Sequence, residues 1–128
     1  MKIRYFDNAA TTPILEKVLI KMFPYLTELY GNASSMYGIG RQSKKALEEA
    51  RTQVASIINV RPKEIYFTSS GSESDNIAIK GFAYENKEKG KHIITSAIEH
   101  HAVLDACKKL EEEGYEVSYI PVDKTGLV

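Results

Sequence analysis

The residues best suited to chemistry lie in one short polar segment, residues 67–76, which runs Phe-Thr-Ser-Ser-Gly-Ser-Glu-Ser-Asp-Asn. The pattern predicts a strand that leads into a helix, and a helix start presents unpaired backbone N–H groups at the positive end of its dipole. Such a junction suits an anion, most often a phosphate. Gly71 lets a ligand approach the backbone closely, and hydroxyl donors are available from Ser70, Ser72 and Ser74. The segment therefore predicts a phosphate site at the carboxyl end of a parallel strand.

A purely structural role accounts for the same segment equally well. Ser70 or Ser72 can cap the helix, with Glu73 completing the cap, since many helices begin with serine. The segment lacks the Gly-Lys-Ser/Thr ending of a Walker phosphate loop and the Gly-x-Gly-x-x-Gly pattern of dinucleotide sites. Spacing alone leaves the anion site and the simple cap both open.

Two adjacent histidines, His100 and His101, open a later predicted helix. A histidine at such a position is most often a surface or capping residue. Metal ligands on one helical face need i, i+4 spacing, and no cysteine or carboxylate cluster completes a coordination set. The sequence therefore predicts no metal site, and it predicts that His101 is structural or exposed.

Cys107 is a poor candidate for catalysis. It shares an apolar helical stripe with Val103, Ala106 and Leu110, and a free cysteine there behaves as a small hydrophobe. Reactive thiols need an electropositive and accessible setting. Three lysines on solvent-facing helix faces or at a helix end are equally poor candidates for covalent chemistry through a Schiff base: Lys80, Lys89 and Lys91.

Residues 1–60 predict an N-terminal helical segment. Thr12 and Pro13 resemble a helix entry, with a capping hydroxyl followed by proline at the first helical position. Gly31 ends this helix, and a second begins near Arg41. An apolar stripe on the second helix predicts a buried face: Leu47, Ala50, Val54, Ile57 and Ile58.

Residues 61–128 predict the start of an α/β domain, still incomplete at Val128. Strands and helices alternate, which implies crossover connections and a parallel sheet covered by helices. Strands are predicted at 65–68, 92–96 and 116–120, with helices from the 69–74 turn to about 89 and from about 100 to 113. The fold class is therefore α/β, with N-terminal helices followed by strand, helix, strand, helix, strand.

Composition narrows the classes of function. Hydrophobic residues make up 43% and charged residues 27% of the 128 residues, which is typical of a globular protein rather than a disordered one. The net charge is zero, so there is no basic surplus for nucleic acid or an anionic membrane. One cysteine excludes a disulfide framework within the chain. No signal-peptide pattern is present, and together with the single cysteine this favours the cytoplasm. Residues 123–128 predict a turn that leads into a further segment, so we expect a longer chain.

The chain resembles the cysteine desulfurases, which have the class-V aminotransferase fold. Four blocks carry the resemblance, in the family's order and across nearly the whole chain: residues 5–13, 31–35, 67–76 and 98–103. The resemblance implies the first part of the large domain of an aminotransferase-like fold, with residues 61–128 as the start of its cofactor-binding α/β domain. Two departures, Ala33 for the usual proline and Tyr37 for the usual histidine, bear on substrate specificity more than on cofactor binding.

The resemblance also implies roles for three residues. Gly71 and Ser72 match positions whose backbone and hydroxyl bind the phosphate of pyridoxal 5'-phosphate, and Ser72 keeps the hydroxyl of the family's usual threonine. His100 matches the histidine that stacks on the cofactor ring and can take part in proton transfer. The lysine that carries the cofactor and the cysteine nucleophile match no position in residues 1–128.

The implied reaction converts L-cysteine to L-alanine and an enzyme-bound persulfide. The persulfide sulfur then passes to an acceptor protein for iron–sulfur clusters or thiolation. Family members are homodimers, and the 128-residue chain alone is expected to be inactive. Two alternatives stay open: a related lyase acting on selenocysteine, and a non-catalytic remnant that serves as a binding or dimerisation module.

Overall fold

The computed structural model describes residues 3–128, which divide into two units, one ending at Tyr66 and one spanning Phe67–Val128. The first unit holds helix α1 (Glu16–Thr27), helix α2 (Gly38–Ile57) and a 3₁₀ turn at Pro62–Glu64. The second unit holds helix α3 (Gly71–Glu85), strand β1 (His92–Ser96), helix α4 (His101–Glu112) and strand β2 (Glu116–Ile120).

Helix α2 begins in close contact with the loop that precedes it. A Cβ atom on the buried Gly40 would lie 2.6 Å from both the Asn32 carbonyl oxygen and the Ser35 Cβ. The Ser43 hydroxyl, one turn further on, donates to the Leu29 carbonyl at 3.1 Å. The start of α2 therefore needs a residue without a side chain at position 40, because backbone occupies the space that a methyl group would fill.

Replacing Gly40 with alanine should destabilise the protein by about 1–3 kcal/mol, because the added methyl overpacks this contact. Chemical denaturation of the full-length protein measures the effect. Gly38→Ala is the matched control, since it lies in the same helix and its added Cβ would meet no heavy atom within 4 Å. Equal unfolding midpoints for the two variants would show that the loop yields freely and that the close approach is not restrictive.

The predicted helix entry at Thr12 and Pro13 is wrong. Helix α1 begins at Glu16, and Leu15 before it has an extended backbone (φ −63°, ψ 135°) with no side-chain cap. The Leu15 carbonyl accepts the first helical bonds, from Val18 N at 2.8 Å and Leu19 N at 3.0 Å. An extended residue cannot continue a helix, so Thr12 and Pro13 lie outside it.

The apolar stripe predicted to be buried on α2 is largely exposed. Ile57 is 81% and Ile58 is 59% exposed, and the buried positions of this helix are Gly40 and Ala55. Helical spacing correctly marks an apolar face, but burial also requires a surface that covers it.

The predicted strand at 65–68 is not formed, which corrects the first strand of the predicted alternation. Both backbone groups of Ile65 are already used: its N–H donates to the Pro62 carbonyl at 3.1 Å, and its carbonyl accepts from the Arg51 guanidinium. A strand is defined by pairing with a neighbour, and the sheet of the described residues contains β1 and β2 alone.

The other two predicted strands are confirmed at the predicted residues. β1 and β2 pair in parallel, from His92 opposite Glu116 to Ser96 opposite Ile120. Helix α4 forms the crossover between them, as parallel pairing requires. The α/β class is therefore confirmed, with a two-stranded parallel sheet in the described residues.

The core of the second unit joins both of its helices to the sheet. Ala83, Leu110 and Tyr115 are buried together, with Ile79 and Ile93 packed against them. The Tyr115 hydroxyl donates to the Ala83 carbonyl at 2.9 Å, so it satisfies a carbonyl in the last turn of α3 that has no helical partner. This cluster fixes the position of α3 and α4, whose first residues carry the predicted site.

Candidate functional site

Helices α3 and α4 both begin at the carboxyl edge of the sheet. α3 leads into β1 through residues 86–91, and α4 leads into β2 through residues 113–115, so each helix runs antiparallel to the two strands. In α/β sheets this edge is where ligands bind. The structure thus brings the two predicted site segments, around Ser72 and around His100, to one edge.

Hydrogen bonds hold the loop before α3 tightly. The Ser70 hydroxyl accepts from Glu73 N at 3.2 Å, which confirms Ser70 as the helix cap. The Glu73 carboxylate accepts from the Ser69 N–H at 2.6 Å and from its hydroxyl at 2.7 Å. Thr68 Oγ1 lies 2.6 Å from Ser74 Oγ. The sequence suggested the Ser70 cap but missed the Thr68–Ser74 contact, for which it offers no short-range signal.

The cap leaves two backbone donors unused. Within residues 3–128, the N–H groups of Gly71 and Ser72 and the Ser72 hydroxyl have no hydrogen-bond partner. A Cβ atom on Gly71 would meet no heavy atom within 4 Å, so the space beside this backbone is open. Unpaired donors at the positive end of a helix, on a loop fixed by its own hydrogen bonds, fit the binding of an anion such as phosphate.

Glu73 should stabilise this loop in a pH-dependent way. The hydrogen bonds from Ser69 lower the pKa of the Glu73 carboxyl below its ordinary value of 4.5. The stabilisation is therefore complete above pH 4.5 and is lost as the pH falls through the lowered pKa. Comparing the unfolding free energy of the full-length protein with that of Glu73→Gln from pH 7 to pH 3 should show a difference that shrinks on acidification. A constant difference would contradict this assignment.

His100 caps helix α4. Its Nδ1 accepts a hydrogen bond from Ala102 N at 3.1 Å, and its ring meets that of His101 edge-on with 6.2 Å between centroids. The His100 side chain is exposed, and its Nε2 has no partner in the described part of the chain. Both structural roles that the sequence allows for a histidine at this position, exposure and capping, therefore occur together.

Cys107 lies in the packed side of α4 and not at the site. It is buried, and burial, followed by the charge of Glu111, raises the pKa of its thiol. A raised pKa disfavours the reactive thiolate. Two of the lysines lie between the end of α3 and the start of β1, whereas the site residues lie at the starts of α3 and α4. Lys89 Nζ donates to Asn86 Oδ1 at 2.9 Å, and Lys91 Nζ lies 5.8 Å from the centre of the Tyr115 ring.

Two further kinds of feature do not occur among residues 3–128. No three side chains of histidine, cysteine, aspartate or glutamate come together in a way that could hold a metal ion. In the same residues, every helix is too short or too polar to cross a membrane.

Comparison with known proteins decides the family. The sequence profile of the aminotransferase class-V family matches residues 4–128. The chain belongs to the class-V aminotransferase family. The resemblance predicted from the four sequence blocks is thereby confirmed, and members of this family depend on pyridoxal phosphate.

Individual relatives agree with this assignment. The chain is 57% identical over 127 residues to the cysteine desulfurase IscS of Methanosarcina thermophila, and the match covers 99% of the chain and 31% of the relative. A solved NifS-like protein is 43% identical, and the structural match covers 93% of the chain and 33% of the NifS-like chain with a TM-score of 0.87. SspA, solved in complex with cysteine, is 40% identical, and the match covers 92% of the chain and 34% of SspA with a TM-score of 0.85. The chain thus spans about a third of the length of these relatives.

Proposed function

We propose that this chain is the phosphate-binding portion of a pyridoxal-phosphate-dependent cysteine desulfurase. The identity of 57% to a cysteine desulfurase across 99% of the chain carries the proposal. The unused donors at the start of α3 support it, because they are of the kind that a phosphate group requires. Under this proposal, residues 1–60 form a helical segment and residues 61–128 begin the cofactor-binding domain.

Gly71 and Ser72 would hold the phosphate of the cofactor. Their two backbone N–H groups and the Ser72 hydroxyl are the free donors of the loop. The Ser69–Glu73 hydrogen bonds fix that loop before any ligand arrives, so little conformational entropy remains to be lost on binding. Glu73 directs its carboxylate back to Ser69, which leaves the N–H groups of Gly71 and Ser72 as the groups offered to an anion.

His100 would lie against the cofactor ring. It stands at the start of α4, on the same sheet edge as Ser72, with an exposed ring. When bound, pyridoxal phosphate supplies an electron sink for chemistry at the substrate α-carbon. The imidazole would orient the ring by stacking and hold a proton near it. The amine that carries the cofactor and the thiol that receives the sulfur would come from outside residues 1–128.

The substrate and partners follow from the same proposal. L-cysteine would be converted to L-alanine and a persulfide whose sulfur passes to an acceptor protein, and SspA, a structural relative, is known in complex with cysteine. The proposal includes a homodimer and a cytoplasmic location. The net charge of zero gives no basic surplus of the kind that a nucleic-acid partner requires.

Cysteine turnover by the full-length protein from the native gene tests the proposal. Purified protein should bind pyridoxal phosphate, seen by its visible absorbance, and should release alanine from L-cysteine while a persulfide forms on the enzyme. The 128-residue chain assayed in parallel should release none.

Other results would point elsewhere. Turnover of L-selenocysteine with none of L-cysteine would favour a selenocysteine lyase. A full-length protein that binds no cofactor would favour a binding or dimerisation role instead.

A further inference from the structure

The hydrogen bond between His100 and Ala102 restricts the state of the histidine ring. A backbone N–H can only donate, so the ring nitrogen that faces it must accept. His100 Nδ1 lies 3.1 Å from Ala102 N and caps the first turn of α4. Nδ1 therefore carries no proton while the cap is formed, and a ring protonated at both nitrogens could not make this bond.

The remaining proton of the neutral ring must then be on Nε2. In a neutral imidazole one nitrogen donates and the other accepts, and the bond made by one determines the role of the other. Nε2 is on the opposite edge of the ring from the helix, and in the described residues it has no partner. The edge of the ring that is open to a ligand thus carries an N–H group.

We propose that helix α4 holds His100 as the Nε2–H tautomer, so that His100 presents a hydrogen-bond donor to the ligand and not a base. This inference rests on the proposed function for the identity of the ligand, but not for the state of the ring. His100 cannot accept a proton at Nδ1 without giving up the cap of α4. Such a fixed donor suits an acceptor atom on the cofactor or substrate.

Nuclear magnetic resonance of the full-length protein tests the tautomer directly. The full-length protein, labelled with ¹⁵N in its histidine rings, gives a long-range ¹H–¹⁵N pattern that distinguishes the two tautomers and the doubly protonated ring. The His100 signals are those that disappear in His100→Asn. We expect an unprotonated Nδ1 and a protonated Nε2; a proton on Nδ1, or a pattern averaged between forms, overturns the proposal.

Thermal unfolding of two variants tests the cap independently of activity. Asparagine at position 100 keeps a side-chain acceptor for Ala102 N, whereas alanine offers none. We expect His100→Asn to melt close to the unsubstituted protein and His100→Ala to melt at a lower temperature, and equal melting of the two variants overturns the cap. Absence of cofactor binding or alanine release in the unsubstituted protein would refute the proposed function and leave both of these results intact.

Discussion

Replacing His100 with alanine in the full-length protein is expected to lower cysteine-dependent alanine release about 10²–10³-fold. The expected size is that of removing one positioned hydrogen-bond donor from an active site. The ring is exposed at the sheet edge, and its free Nε2 faces away from the helix that it caps. Steady-state kinetics on purified full-length protein, saturated with pyridoxal phosphate, measures the effect.

Two further variants separate the chemistry of His100 from its structural role. His101→Ala removes the neighbouring ring, which meets His100 only edge-on at 6.2 Å, and should leave turnover close to normal. His100→Asn should restore the helix cap but not the activity. Recovery of turnover in the asparagine variant would mean that His100 serves only to start α4.

Replacing Ser72 with alanine is expected to weaken the binding of pyridoxal phosphate to the apoenzyme about ten- to a hundredfold. This range corresponds to the loss of one hydrogen bond to a charged group. The Ser72 hydroxyl has no hydrogen-bond partner among residues 3–128, so its removal breaks no internal hydrogen bond. Titration of apoenzyme with the cofactor, followed by absorbance or fluorescence, measures the dissociation constant.

Ser72→Thr is the matched control, because threonine keeps the hydroxyl and adds one methyl group. It should bind the cofactor as tightly as the unsubstituted protein. Unfolding midpoints should be similar for all three proteins, since the cap of α3 uses Ser70 and not Ser72. Equal cofactor affinity in the alanine and threonine variants would show that the Ser72 hydroxyl does not bind the phosphate.

The strands show where sequence is a sufficient guide to the fold. β1 and β2 occur at the predicted residues because each apolar segment is bounded by a clear break, with Gly90 before β1 and Pro121 after β2. The segment 65–68 is equally apolar, yet it forms no ladder. Pairing depends on a neighbour distant in the sequence, and the Pro62 and Arg51 contacts at Ile65 are not visible in a local pattern.

In the candidate site, too, some features can be predicted from the local sequence and others depend on the folded structure. The Ser70 cap could be predicted, because its partner Glu73 is three residues away and the pattern is common. The sequence also allowed a capping role for His100, but the ring nitrogen that makes the cap depends on the rotamer that turns Nδ1 toward Ala102. The binding roles of Gly71, Ser72 and His100 come from the family resemblance and stay predictions until the cofactor is titrated.

The exposed apolar residues have a consequence for handling the 128-residue chain by itself. The buried hydrophobic residues in positions 3–128 are few, and three of them are alanines, whereas large ones such as Phe6, Phe82 and Ile94 are exposed. The two-stranded sheet of the described residues also leaves one edge of β1 and one edge of β2 unpaired. Exposed apolar surface and unpaired strand edges favour association between copies, so this chain in isolation should aggregate at a lower concentration than the full-length protein.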